Sequence, residues 1–284
     1  MQLPESIGKL IGGVVHDMKN GDYVGDDGLI YCGKCKTRRE HELKLWEHAS
    51  WHPDKDKLIK VGAMCKCAKE AKEGWEQEIR IEDFEKKIES YRQGMAKEIK
   101  NMIFDKDDNK HPNITKMMRH YVDNWELMKH GNIWLVLSGG VGTGKTFFAA
   151  CIANSLINKG IRVNFSNFMA IERAMRSFDG KQDQVDILND CELLIVDDMG
   201  AERTSDYMKE IVFNVINERI LSGMPCIITT NLTKEKFLQE AQGANARIFD
   251  RIISKGRIIE FDGDSKRKRE YLQNTQESIF NLKP

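Results

Sequence analysis

Two groups of residues in this chain have the types and spacing to do chemistry. The first is Gly139-Gly140-Val141-Gly142-Thr143-Gly144-Lys145-Thr146, which satisfies G-x-x-x-x-G-K-[ST] at every position. Closely spaced glycines let successive backbone N–H groups turn inward and approach a phosphate chain without Cβ clashes. A helix that starts behind the loop adds free N–H groups and a partial positive charge. In that setting Lys145 reaches the β- and γ-phosphates and the Thr146 hydroxyl sits on Mg²⁺. Further on, CELLIVDD ends an apolar run on Asp197 and Asp198. A buried parallel strand that delivers acids at its C-terminal end places Asp197 on the metal side. Asp198, one residue on, then polarises the attacking water as general base. Asn231 closes the run PCIITT and offers an amide that can orient water or sense the γ-phosphate.

The second group is made of thiols. Cys32-x-x-Cys35 is followed after a polar loop by Cys65-x-Cys67. Two closely spaced cysteine pairs present four thiolates tetrahedrally to Zn²⁺. His41, His48 and His52 lie between the pairs, and any of them could replace one thiolate. The remaining cysteines, Cys151, Cys191 and Cys226, fall in apolar stretches and read as small buried hydrophobes.

The elements that must position these groups follow from periodicity. Residues 133–137 are a short apolar run bounded by glycines, which predicts a buried strand, and residues 146–159 carry apolar positions at helical spacing up to a stop at Gly160. Residues 161–165, 191–196, 225–230 and 257–261 read as further strands, and 168–178, 206–223 and 246–253 as helices, with a last helix from Ser265 onward. Strands alternating with helices imply a parallel sheet covered on both faces, with the ligand at the strands' C-terminal ends. Upstream, Tyr23-Val24 and Leu29-Ile30-Tyr31 flank a Gly-Asp-Asp-Gly turn and predict a hairpin leading into the cysteines. Ile81, Phe84, Ile88, Tyr91 and Met95 recur three and four apart amid mixed charge, which predicts an amphipathic helix leaning on its neighbour. Residues 105–112 are a polar break ending in proline, and 114–129 predict a second helix packed on the nucleotide domain. Three parts follow: residues 1–70 around the cysteines, a charged connector at 71–112, and a nucleotide domain at 113–284.

Lysine and arginine number 44 against 44 aspartates and glutamates, so a neutral total argues against non-specific coating of nucleic acid while permitting a local basic patch. No apolar run is long enough for a membrane span, and the N-terminus lacks the apolar core of a secretory signal. Seven cysteines in such a chain suggest thiols and metal in a cytoplasmic setting, not disulfides.

GGVGTGKT, LLIVDDMGAER, ITTN, ARIFDRI and FDGDSKR, in that order, resemble the DnaC/DnaI/IstB group of AAA+ ATPases over residues 100–270. The YCGKC…CKC segment resembles the zinc-bearing N-terminal domain of Gram-positive and phage-type helicase loaders, which transposition helpers of the IstB type usually lack. The resemblance implies an AAA+ core with a five-stranded parallel sheet, a helical lid that is reduced or absent, and ATP, Mg²⁺ and Zn²⁺ as cofactors. It implies the Walker A pair at Lys145 and Thr146, the Walker B pair at Asp197 and Asp198, and sensor 1 at Asn231. Arg247 matches the arginine finger that acts on a neighbour's ATP, with Arg251 the fallback, and Arg267 matches sensor 2. Ser205 and Tyr207 fall in a loop like the one that contacts single-stranded DNA in these loaders. The function so implied is an ATPase that binds a replicative hexameric helicase of the DnaB type and places it on single-stranded DNA in a bacterial or phage-infected cell. It would self-associate through its AAA+ domain. A transposition-helper ATPase is the alternative. A small-molecule kinase would share the phosphate loop but needs neither an arginine finger nor a cysteine-pair domain.

Overall fold

A computed structural model describes residues 18–44, 51, 53, 56–167, 170–171, 181–199, 206–242 and 246–263. The chain divides into two units, residues 1–84 and 85–284.

The first unit has little apolar core; Leu29, Cys32 and Cys65 are its buried apolar side chains among the described residues. The anticipated hairpin forms from β1 (Tyr23–Val24) and β2 (Ile30–Tyr31), antiparallel, with Tyr23 opposite Tyr31 and their rings stacked at 5.6 Å. Its turn is fastened by the Tyr31 hydroxyl, which donates to Asp27 at 2.8 Å. A second hairpin, β3 (Glu40–Lys44) with β4 (Leu58–Gly62), was not anticipated from sequence. Its alternation is weak because most of its residues are exposed, so no clean period of two marks it. The buried Asp22–Arg39 ion pair ties the segment before β1 to the segment before β3.

Helix α1 (Lys66–Arg92) straddles the boundary between the units. It begins earlier than the apolar stripe suggests, and it stops before Gly94, whose φ of +84° suits glycine. Met95 of the predicted stripe therefore lies beyond it. Ile88, Tyr91 and Met95 pack on the core of the second unit, whereas Ile81 and Phe84 of the same stripe are exposed, so the leaning-helix reading holds for the later part of the stripe alone.

Helix α2 (Lys97–Lys100) and a 3₁₀ turn at Phe104–Lys106 lead to α3 (Pro112–Asp123), which starts with proline in its first turn. The single helix expected over 114–129 is broken. Asn124 leaves helical geometry, its amide donates back to the His120 carbonyl at 3.0 Å, and α4 (Trp125–His130) starts anew.

The second unit contains β5 (Trp134–Gly139), α5 (Lys145–Asn158), β6 (Val163–Asn167), α6 (Lys181–Asn189), β7 (Leu193–Asp197), α7 (Asp206–Leu221), β8 (Cys226–Thr230), α8 (Lys234–Glu240), α9 (Ala246–Lys255) and β9 (Gly256–Phe261). The strands form the expected five-stranded parallel sheet, in the order β6-β7-β8-β5-β9. Val136, Leu194, Val196 and Ile228 face one layer, with α7 and α9; Leu135, Leu137, Ile195 and Ile227 face the other, with α3 and α5. Burial on both faces is why these strands read as unbroken apolar runs. Arg219 of α7, fully buried, donates to the carbonyls of Cys191, Glu192 and Pro225 at 2.7–3.0 Å. It thereby pins the starts of β7 and β8. Cys151 and Cys226 are buried free thiols, each pushed up to about 12 by burial, and Cys191 is half-buried with its thiol also raised by burial.

Helices α6 and α8 were not anticipated. Of the helix expected at 168–178, only Ala170 and Ile171 fall among the described residues, and both are helical. The last helix and the expected reduction of a lid lie outside the described residues. Among those described, no helix is long and apolar enough to cross a membrane.

Candidate functional site

The phosphate loop grows out of the C-terminal end of β5. Gly139 has φ +144°, and a Cβ there would meet the Phe261 carbonyl of β9 at 2.3 Å, so only glycine lets the strand leave the sheet. Gly142 (φ +77°) and Gly144 (φ +105°) are also left-handed, and Gly144 is the residue from which α5 begins. The loop therefore meets the backbone requirement of a phosphate cradle. Thr143 closes it by donating to the Gly140 carbonyl at 2.9 Å, while Val141 projects into solvent. Lys145 is buried, and its ammonium donates to the carbonyls of Gly139 (3.0 Å) and Gly140 (2.6 Å) at the loop's centre.

Thr146, on the first turn of α5, donates to Asp197 Oδ1 at 2.9 Å. Thr229 of β8 donates to the same oxygen at 2.6 Å. A hydroxyl and a carboxylate side by side are hard oxygen donors of the kind Mg²⁺ takes. Burial raises the Asp197 carboxyl above its ordinary value; the Thr229 and Thr146 hydrogen bonds oppose this, Asp198 adds to it and Lys145 opposes it. Asp198 follows at φ +62°, a conformation uncommon outside glycine. Two bonds hold it there. Its N–H donates to Thr229 Oγ1 at 2.9 Å, and the Asn231 amide donates to its Oδ1 at 2.6 Å. The structure thus brings together Lys145, Thr146, Asp197, Asp198 and Asn231 from three separate sequence segments.

Thr229 was missed from sequence. Its signal was present in the paired threonines that end ITTN, since a polar residue inside a fully buried strand needs a partner.

Arg247 stands on the first turn of α9, exposed, with no side-chain partner among the described residues. Arg251, one turn later, is engaged: it donates to the side-chain Oδ1 of Asn217 and lies 4.8 Å from the centre of the Phe213 ring. Tyr207 lies in the first turn of α7. Ser205 and Arg267 lie outside the described residues.

In the first unit, Cys32 and Cys35 sit on the turn after β2, Cys65 just before α1 and Cys67 in its first turn. The four Sγ atoms lie within 4.8 Å of one another. Cys67 Sγ is 3.6 Å from Cys32 Sγ and 3.4 Å from Cys65 Sγ. A tetrahedron with Zn–S bonds of about 2.3 Å has edges of about 3.8 Å, so the spacing fits. The Thr37 hydroxyl, then backbone N–H groups, bring the Cys35 thiol down to about 5, and backbone N–H groups also lower Cys32. Cys67 is pushed up to about 12 by the sulfurs of Cys65, Cys32 and Cys35. Four thiolates at this distance repel, and a divalent cation at the centre relieves that repulsion. Helical backbone at Cys67 explains the C-x-C spacing, because it brings Cys67 back toward the turn that carries Cys32. His41 is exposed on β3, outside the cluster; His48 and His52 lie outside the described residues.

Residues 108–274 match the family described as IstB-like ATP binding protein. The chain is 29% identical to the replicative helicase loader DnaC of Escherichia coli K12 over 164 residues, 55% of this chain and 64% of DnaC. It therefore spans less than two thirds of that relative's length. It is 25% identical to the replicative helicase loader DnaI of Bacillus subtilis over 205 residues, 65% of each chain. The crystal structure of the DnaC helicase loader superposes with a TM-score of 0.52 at 24% identity, covering 59% of this chain and 100% of that one, which shows a common fold. The matched segment runs from the loop before α3 through the phosphate loop, both acids and Asn231, and on this span the chain belongs to the family of IstB-like ATP binding proteins.

Proposed function

We propose that this protein is an ATP-hydrolysing helicase loader, which binds a replicative hexameric helicase of the DnaB type and promotes its placement on single-stranded DNA. The observation that carries the hydrolytic part is the convergence of Thr146, Asp197, Asp198 and Asn231 at the C-terminal ends of adjacent strands. The loader part is supported by similarity to two helicase loaders, DnaC and DnaI, and by the cysteine cluster ahead of the ATPase unit.

The loop N–H groups and the start of α5 bind the triphosphate, and Lys145 moves from the loop carbonyls onto its oxygens. Thr146 and Asp197 would hold Mg²⁺. When bound, that ion neutralises charge on the phosphate oxygens and orients them. Asp198 takes a proton from the attacking water, while Asn231 keeps its carboxylate aimed. Arg247, without a side-chain partner among the described residues of its own subunit, stabilises charge on a neighbour's γ-phosphate, which makes self-association part of the reaction. Arg267 senses nucleotide from the same chain, and Ser205 and Tyr207 contact single-stranded DNA. Cys32, Cys35, Cys65 and Cys67 would hold one Zn²⁺, and residues 1–70 grip the helicase, with residues 71–112 as the connector to the ATPase domain at 113–284. The place of action is the bacterial cytoplasm.

Gel filtration with a purified replicative helicase, with and without ATP, tests the reading. Co-elution is expected, and so is helicase-dependent displacement of an oligonucleotide annealed to a protein-coated single-stranded template. Failure to bind any replicative helicase, with ATP hydrolysis intact, would leave an ATPase of another purpose.

A further inference from the structure

The end of the sheet where the strands begin, opposite the phosphate loop, carries a second concavity. A groove of about 350 Å³ lies beside β9, an edge strand. Its floor is apolar and includes Met117, Met118, Met128, Ile133 and Ile259. Methionines make a floor that adapts to whatever side chain enters. Its rim is cationic: Lys116 and Arg257 line it with His120, and no carboxylate lines it. Lys116 and Arg257 are both exposed, and neither has a side-chain partner among the described residues. An apolar slot between unpaired cations suits an amphipathic segment whose polar flanks are acidic.

The chain itself contains such a segment. Between Glu73 and Glu85, α1 carries six carboxylates against one cation, Arg80. Trp75 and Ile79, one turn apart on that stretch, are 64% and 38% exposed. Glu78 and Glu82 flank them at helical spacing. Residues 264–284, which follow β9, carry more cations than carboxylates and so lack the complementary charge. Nucleic acid fits the groove poorly too. Tyr121 is buried, with its hydroxyl donated to the Ile133 carbonyl, which leaves His120 on the rim as the one exposed ring among the lining residues, too few for a stacking platform.

We propose that the groove receives the connector helix of a second copy of this chain, Trp75 and Ile79 on the methionine floor and Glu78 and Glu82 against Lys116 and Arg257. The inference deepens the self-association proposed above and rests on it.

The test uses the full-length chain. Sedimentation velocity with nucleotide present should show concentration-dependent assembly. Lys116→Glu with Arg257→Glu, or Glu78→Lys with Glu82→Lys, should each weaken assembly about tenfold or more, since like charges then face each other. Mixing the two charge-reversed chains should restore it. A photo-reactive side chain at Met117, in an equal mixture of ¹⁴N and ¹⁵N protein, should cross-link to residues 74–85 of the other isotope. Nucleotide binding by each variant reports separately on its fold. Assembly that ignores both reversals, or cross-links confined to one copy or directed elsewhere, would overturn the groove while leaving self-association standing. A chain that never assembles would overturn the self-association as well.

Discussion

The Thr229 hydroxyl donates to Asp197 Oδ1 at 2.6 Å and accepts the backbone N–H of Asp198 at 2.9 Å, so one side chain of β8 sets the position of both acids at the end of β7. Thr229→Val keeps the shape and removes the hydroxyl. Turnover should fall about 10–100-fold with nucleotide affinity little changed, and Thr229→Ser should retain most activity. The pH profile adds a sign. Burial already raises the Asp197 carboxyl, and the Thr229 bond opposes that shift. The acid limb of turnover should therefore move to higher pH in Thr229→Val. An unmoved limb would mean that Thr229 only fills space.

The same burial predicts a trade of activity for stability at Asp197. A carboxyl whose folded value is raised favours the folded state while protonated, and that contribution is lost as pH rises through the folded value. At neutral pH the ionised Asp197 is a net cost. Asp197→Asn should raise stability of the nucleotide-free chain by about 1 kcal/mol, as removal of functional strain commonly does, and abolish hydrolysis. Thermal melts at pH 7 and pH 4.5 check this; the gain should shrink at the lower pH.

Lys145→Ala and Asp198→Asn should fail differently. Lys145 touches phosphates in the ground state, so its loss weakens nucleotide binding. Asp198 acts on the water, so its loss leaves binding and lowers turnover by about 10²–10⁴. Titration with a fluorescent nucleotide separates the two, and equal losses of affinity would contradict the assigned roles.

Elemental analysis should find about one zinc per chain, held by four ligands. Because His41 is exposed and outside the cluster, a serine at any of Cys32, Cys35, Cys65 or Cys67 should release the metal. Chelation should melt the first unit and leave nucleotide binding intact, since the second unit has its own core. A variant that keeps its zinc would point to a histidine ligand instead.

Arg247 and Arg251 should separate by location of effect. Arg251→Ala loses its bond to Asn217 and its stacking on Phe213 and should lower the melting temperature. Arg247→Ala should leave it unchanged and lower turnover by about 10³ or more. Mixed with Lys145→Ala protein, which has a dead pocket and an intact finger, it should regain part of the activity. A mixture that co-assembles yet stays inactive would exclude a finger supplied in trans.

Much of this was legible in the chain because it depends on local spacing. Gly139, Gly142 and Gly144 stand where left-handed backbone is required, and the unbroken apolar runs follow from burial on both sheet faces. The paired cysteines announce a four-sulfur cluster for the same reason. Tertiary structure decided what depends on neighbours distant in sequence. Strand order put β8 beside β7, which alone makes Thr229 a partner of Asp197 and Asp198. Asn124 broke a helix that periodicity would carry through, because its amide finds the His120 carbonyl. Arg247 and Arg251 look alike in ARIFDR, a turn apart; only packing shows that Asn217 and Phe213 hold one and leave the other to solvent. Periodicity reports which face of an element is apolar, but the partner across that face is set by how the sheet is assembled.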